Sequence, residues 1–556
     1  MENNEFNPNS NNSLIGEEKP TVNNNIPNVS GTDTNEPNSP HIDMNFATPC
    51  MEACGSFAGN PGAPEFVDLS VKSSTNTNLI PGDTRGEYLK RLLLCLSYAA
   101  IYTFCLYDNP NGITYPLFSI ATIGAFIMFI KATGEKLKKF SYILITLIMA
   151  LSVHVCTTTS EQLYAFDKLF VFALFFILFL YNLYDDTTWD VSRYFLAIIG
   201  TLFSSLQFMF DPLTDVLRIK KEDTPESGSK LKENILPVII GLGITLPLLC
   251  VILPLLASSD AVFSKMLSNF FYFDFNEDMI NILFLMMFIF VFSYMMIKRF
   301  YHKSEWLEKD VSDKRTHNPV VAITISAVLL VFYAIYSGIQ IVFLFLGFGE
   351  LPEGYTYAMY AHEGFFQLVF VCLINLALVL ICRKYSKDNK FLKVMLTSIC
   401  ACTYVMLMSS AYRMLLYISV YGLTFLRVYV LWALVVIALV MAGTVAYIYF
   451  ERMPFVKYSA LVVAITWTVF AFSYPDRYIA AYNLENSLDK QYVAHNISYD
   501  AAPVVAQYKE SLEKEAMYED NSVWAYYKSR NENNISHDND FRKFNLSEYT
   551  AKKYMH

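Results

Sequence analysis

The stretch "GYTYAMYAHEGFFQL", Gly354 to Leu368, gathers three tyrosines, a histidine and a glutamate where a long apolar run begins. Its "HEGFF" portion has the first two residues of the zinc-protease helix H-E-x-x-H, in which a second histidine one turn later shares the metal. Position 366 is Phe, so that metal pair is not formed. If a helix starts near Tyr357, then Tyr357, Tyr360, Glu363, Phe366 and Gln367 share one face at three- and four-residue spacing. A carboxylate at a membrane edge calls for a cation. Asp260 in "LLASSDAVF", and Arg413 and Arg427 in "SSAYRMLLYISVYGLTFLR", also lie near the ends of apolar runs, where an unpaired charge is costly. Two chemistries suit this set, and they are compatible. Glu363 pairs with Arg413 or Arg427 inside an aromatic belt, or Asp260, Tyr357, Tyr360, His362, Glu363, Gln367, Arg413 and Arg427 line an outward-facing pocket for a polar or lipid-linked ligand.

The chain has no Gly-rich phosphate loop, G-x-S-x-G elbow or Cys/His cluster, so no catalytic, cofactor or metal residue is assigned. Cys50 and Cys54, in "CMEAC", have the spacing of a metal or redox pair, but no second pair or nearby histidine completes a zinc site. His154, Asp167 with Lys168, Gln340 and Asn375 are polar points inside apolar runs. Their lack of repetition along one face favours hydrogen bonds between helices over an ion pathway. Pro247 and Pro254 predict a kinked span.

The elements that must position these groups are membrane helices. With 54% hydrophobic, 16% aromatic and 17% charged residues, the 556-residue chain has membrane composition, and its net charge of -9 with scattered cations excludes nucleic acid as a partner. Apolar runs near 89–107, 115–131, 140–157, 162–182, 235–256, 279–298, 319–346, 364–382, 393–411, 425–450 and 457–474 approach the ~20 residues needed to cross ~30 Å of hydrocarbon. The fold expected is therefore all-α, a polytopic transmembrane bundle of about eleven spans within residues 84–474.

One further run, from Val191, is decided by charge. Lys131, Lys136, Lys138 and Lys139, and the loops "IKRFYHKSEWLEKDVSDKR", "RKYSKDNKFLK" and "ERMPFVK", fall on one side only if residues 191–210 do not cross. Residues 191–234 are thus expected to form an interfacial or re-entrant helix followed by a cytoplasmic loop. This places the N-terminus inside, the C-terminus outside, and the opening stretch on the outer face. Residues 1–83, rich in Asn, Pro, Ser, Thr and Gly, read as a disordered cytoplasmic tail with no signal peptide. Residues 475–530 read as a small external helical segment, with helices at Val504 to Tyr518 and Val523 to Arg530, and 531–556 as a disordered tail.

The segments "ASSDAVF", "YTYAMYAHEGFFQL", "YRMLLYISVYGLTFLR" and "YNLENSLDKQYVAHNISYDAAP" together resemble the bacterial membrane proteins grouped as domain of unknown function 4173, and more distantly the related 4153 group, over about residues 90 to 510. The resemblance implies fold and location rather than chemistry. It also implies a basic residue, usually Arg, where this chain has His362, and Ala-Asp where it has Ser259 and Asp260. The expectation is a multi-pass protein of the bacterial cytoplasmic membrane, embedded in the lipid bilayer. It would serve as an envelope-facing module for binding, assembly or sensing, its partner an envelope component or lipid-linked ligand. The alternative is a transporter or lipid-substrate enzyme that uses the outward-facing pocket.

Overall fold

In a computed structural model, residues 85–215, 277–303, 315–342, 357–450, 453–514, 522–534 and 540–555 are described, apart from Thr188, together with Leu307 and isolated positions between 245 and 266. Among them secondary structure is helical, apart from isolated bridging such as that of His317 with Ser386. The expected tail and the Cys50/Cys54 pair lie outside the described residues, as does most of the expected run 235–256.

Among the described residues eleven helices of 15 residues or more make the body: α1 Arg85–Leu106, α2 Thr114–Ala132, α3 Lys139–Val155, α4 Glu161–Leu183, α5 Val191–Ser205, α6 Glu277–Tyr301, α7 Pro319–Gln340, α8 Tyr357–Tyr385, α9 Lys390–Tyr421, α10 Phe425–Tyr449 and α11 Phe455–Phe472. Among the described residues ten helices are long and apolar enough to cross a membrane; they include Val191–Phe208, whereas Lys139–Val155 is a shorter apolar helix. Their boundaries follow local chemistry. Asn318 caps α7 by accepting from the Val320 N–H ahead of Pro319 at its first turn, and Thr424 caps α10 through the Arg427 N–H. With lipid outside, the large side chains facing away from the bundle stay apolar: Phe370 is 65% exposed and Val469 67%.

The helices pack into two groups. In one, α2, α3, α4 and α11 share a core that includes Phe126, Leu151, Leu178 and Trp467; in the other, α7 to α10 pack around Cys400, Met406, Ile437 and Met441. Contacts of α11 with α10, α3 and α4 join them. The bundle has two distinguishable ends. At the basic end, Lys303 faces Glu135 and Lys457 donates to Asp186 at 2.9 Å. At the other, the cap end, the Tyr107 hydroxyl donates to Asp278 at 3.2 Å. Asp215 pairs with Lys298 in the last turn of α6, while Asp278 lies in its first, so the chain changes ends between residues 215 and 278.

After α11 the chain folds over the cap end as α12 Pro475–Glu485, α13 Lys490–Asn496, a run of short helical turns over 499–513, α14 Val523–Asn534 and α15 Leu546–Met555. Two expectations are corrected here. The helix read over Val504 to Tyr518 is broken, over its described residues up to 514, into short α and 3-10 turns. Within the expected disordered tail 531–556, residues 540–555 pack on the bundle and cap: Phe544 accepts from the Ile113 N–H at 2.9 Å, and Ser547, Ala551 and Met555 of α15 are buried. Small residues four apart seat α15 closely on its neighbours, so it needs few large apolar side chains and its composition looks unstructured.

Candidate functional site at the cap

A dense polar site lies under the cap and centres on Asp500, which is fully buried. Its Oδ2 accepts from Thr158 Oγ1 at 2.5 Å. Its Oδ1 accepts from the Thr159 backbone N–H and hydroxyl, both at 2.8 Å, and from Ser547 Oγ at 2.5 Å. One carboxylate therefore ties the turn between α3 and α4 to α15, across 342 residues of sequence at one contact and 47 at another. Asn545 doubles the tie. Its Nδ2 donates to the carbonyls of Thr158 at 2.9 Å and Asn111 at 3.0 Å, while its Oδ1 accepts from the Ser547 N–H at the start of α15.

Asp476, in the first turn of α12, is the second buried acid, and it accepts from Ser498 Oγ at 2.5 Å and Ser498 N at 3.3 Å. Burial, and then the charge of Asp500, push its carboxyl up to about 6, against the opposing pull of the Ser498 hydrogen bonds. Arg477 donates to the Asp500 carbonyl at 2.8 Å and stacks over Tyr474 at 4.3 Å. A second tether joins the cap to the bundle at Gly422, which has φ +76°. Asn483 reads the adjoining Leu423 backbone bidentately, accepting from its N–H at 2.7 Å and donating to its carbonyl at 2.8 Å. A Cβ at Gly422 would lie 2.6 Å from Asn483 Oδ1, so both conformation and space demand glycine.

Directly below, His154 Nδ1 and Asp167 Oδ2 are 2.6 Å apart, and Trp467 Nε1 donates to Asp167 Oδ1 at 2.8 Å. All three side chains are excluded from solvent, and the imidazole packs against Phe472 and Tyr474. The two polar points read separately in the sequence thus meet. The tight α3–α4 hairpin accounts for His154 and Asp167; Trp467 arrives from α11 with no local signal.

The candidate cluster around the opening stretch is only partly assembled. The side chains of Tyr357, Tyr360, His362 and Glu363 lie outside the described residues. Asp260 is exposed and accepts from the Val262 and Phe263 N–H groups, and Gln367 is exposed on α8. Arg413 is buried against α8: a Cβ at Gly364 would lie 2.5 Å from its Nη1, and its Nη2 donates to Gln340 Oε1 at 3.4 Å. Arg427 instead closes α9, donating to the carbonyls of Tyr421 at 2.9 Å and Gly422 at 2.5 Å and lying over the Tyr417 ring. Gln340 also accepts from Ser409 at 2.6 Å, and Asn375 links Tyr333 to Thr403. Among the described residues, no group of three His, Cys, Asp or Glu side chains is arranged to hold a metal ion.

Comparison with known families gives one match, to the family described as "Domain of unknown function (DUF4153)", over residues 140–508. Of the two groups the motifs resemble, this is the one placed as more distant. No curated protein and no solved structure matches.

Proposed function

The chain belongs to the DUF4153 family, and from the geometry of its cap we propose that this multi-pass membrane protein is a binding or assembly module whose cap end receives an envelope component. The Asp500 clamp carries this reading. A carboxylate accepting four hydrogen bonds from two distant segments fixes the cap as a preorganised platform, which lowers the ordering cost of binding. On that platform Tyr478 is 64% exposed, Tyr549 66% and Phe541 68%, aromatic groups of the kind that anchor interfaces. The transport reading draws less support: Gln340 and Asn375, which would line a path through the bundle, are spent on Ser409 and on Tyr333 and Thr403.

The test separates platform from surface. Protein purified gently from its native membrane is analysed by native mass spectrometry for retained lipids, glycolipids and proteins. Asp500→Asn should loosen the cap and release the retained component. Tyr478→Ser with Tyr549→Ser should release it while the melting curve stays that of the wild type. If both variants retain whatever the wild type retains, the cap is not the receiving surface.

A further inference from the structure

Helix α5 with the 3-10 turn that follows it, Val191–Phe208, is long and apolar enough to be a candidate span, yet the contacts at its two ends converge. Before its first turn, Asp190 pairs with Lys384 at the end of α8, and within that turn Arg193 donates to the Leu307 carbonyl at 3.0 Å. Tyr194 pairs with Asp186, which also binds Lys457 at the start of α11. At the far end, Arg299 in the last turn of α6 donates to Ser204 at 2.6 Å, Phe208 stacks on His302, and Lys298 binds Asp211 at 2.6 Å and Asp215 at 2.8 Å. Every one of these partners belongs to the basic end. A helix of 15 residues, about 22 Å long, is held there at both tips.

Its two faces are sorted in the inverse of a water-soluble helix. Tyr194, Ala197, Thr201 and Ser205, at steps of three, four and four, are buried against the bundle. Phe195, Phe203, Leu206 and Phe210 face outward, with Phe203 70% exposed and Phe195 63%. Beside α5, at the same end, the α2–α3 turn carries exposed Lys131, Lys136 and Lys139, and the α8–α9 turn exposed Lys387 and Lys390. The starts of α7 and α9 expose Val320, Val321 and Phe391 at this level, so the apolar surface around α5 continues that of the lipid-facing helices.

We infer that α5 lies in the plane of the membrane surface, with its aromatic face in the boundary between headgroups and acyl chains and the neighbouring lysines holding anionic headgroups of the same leaflet. Charge selects the occupant: a phenyl-rich face flanked by exposed lysines matches an anionic leaflet, each cation near such a surface contributing to its attraction. The inference is independent of the function proposed for the cap.

The full chain is reconstituted in nanodiscs of phosphatidylcholine with phosphatidylglycerol, and spin labels are attached at Phe195→Cys, Phe203→Cys and Leu206→Cys, the native cysteines being confirmed unreactive on the unsubstituted protein. Accessibility to oxygen and to a water-soluble nickel chelate then gives the depth of each label. All three labels should sit at one shallow depth on the oxygen-accessible side. A monotonic change of depth of roughly 16 Å from residue 195 to 206 would mean that α5 crosses and would overturn the inference. Uniform exposure to the chelate would overturn it too, since the face would then meet water. In a second arm, the motionally restricted fractions of spin-labelled phosphatidylglycerol and phosphatidylcholine are compared. A several-fold preference for the anionic lipid is expected, falling toward unity in Lys136→Gln/Lys139→Gln/Lys387→Gln/Lys390→Gln. Equal association in the wild type, or a preference that the substitutions leave intact, rejects the headgroup assignment.

Discussion

At the scale of single residues, the cap places two carboxyls in opposite situations. Asp500 accepts four hydrogen bonds, so Asp500→Asn replaces one acceptor oxygen by an amide donor that faces donors, and leaves groups of the α3–α4 turn or Ser547 unmatched in a dry site. The expected loss is about 3 kcal/mol, visible as a lower melting temperature with the bundle still inserted. Asp476 is the reverse case. Its carboxyl is raised from 3.8 to about 6, so folding favours its protonated form; the stability from this group is full below about 4, falls as pH rises toward 6, and is flat above. The difference amounts to about 3 kcal/mol, since one unit is worth about 1.4 kcal/mol. Asp476→Asn removes the titrating charge and keeps an oxygen for Ser498. Its melting temperature relative to wild type should therefore climb between pH 4 and 6 and hold level beyond pH 7. A difference that is constant from pH 4 to 8 would show that burial does not raise this carboxyl. Asp500 stands in a segment whose resemblance to the family was legible, "NISYDAAP", and Asp476 lies just before that segment, but nothing local marks either as buried: the burial comes from Thr158, Ser498 and Ser547, brought in by the fold.

At the scale of elements, legibility tracked how far each element's periodicity decided its surroundings. The apolar runs of α1, α2, α4 and α6 to α11 were readable because lipid imposes one requirement over some twenty residues, that backbone groups be satisfied internally behind apolar side chains. The last helix, α15, was not, because its buried face consists of Ser547, Ala551 and Met555 and its stability comes from a close fit. It should nevertheless matter. Deleting residues 540–556 removes the Ser547 bond to Asp500 and both Asn545 bonds to the turns at Asn111 and Thr158, so α12 to α14 should become susceptible to limited proteolysis near residues 498–514 while the bundle stays resistant. Equal resistance of the truncated and intact proteins would show that α15 rides on the cap without securing it. Within the bundle, Gly364 on α8 makes room for the Arg413 guanidinium. Gly364→Ala should push that buried cation off Gln340 and lower thermal stability, whereas alanine at Gly124, with open space around it, should not.

At the scale of the whole molecule, the polarity of the bundle is a matter of which charges collect at which end. Exposed Lys131, Lys136, Lys139, Lys387 and Lys390 gather at the basic end, while the short turns at the cap end between α1 and α2, α3 and α4, and α9 and α10 have no Lys or Arg. Cations in short loops resist translocation, and acids constrain it little, so this asymmetry favours the basic end remaining in the cytoplasm. The path is consistent with that bias: α1 to α4 alternate ends, α5 stays where α4 finished, the chain changes ends between residues 215 and 278, and α6 to α11 alternate again, leaving the cap opposite the start of α1. A crossing α5 would have put the later basic turns on the other side from the earlier ones, against both charge and the contacts that tie Asp190 to Lys384 and Ser204 to Arg299. Cysteines introduced at Lys387 and at Asn486, both exposed, report on opposite ends. In intact cells, a membrane-impermeant maleimide that reaches the membrane from outside should modify Asn486→Cys and spare Lys387→Cys, and both should react once that membrane is permeabilised. Modification of Lys387→Cys alone would invert the molecule and turn its cap toward the cytoplasm, which would end the case for an envelope partner at that face. Modification of both in intact cells would mean that residues 387 and 486 share a side, which an odd number of crossings by α9, α10 and α11 does not allow.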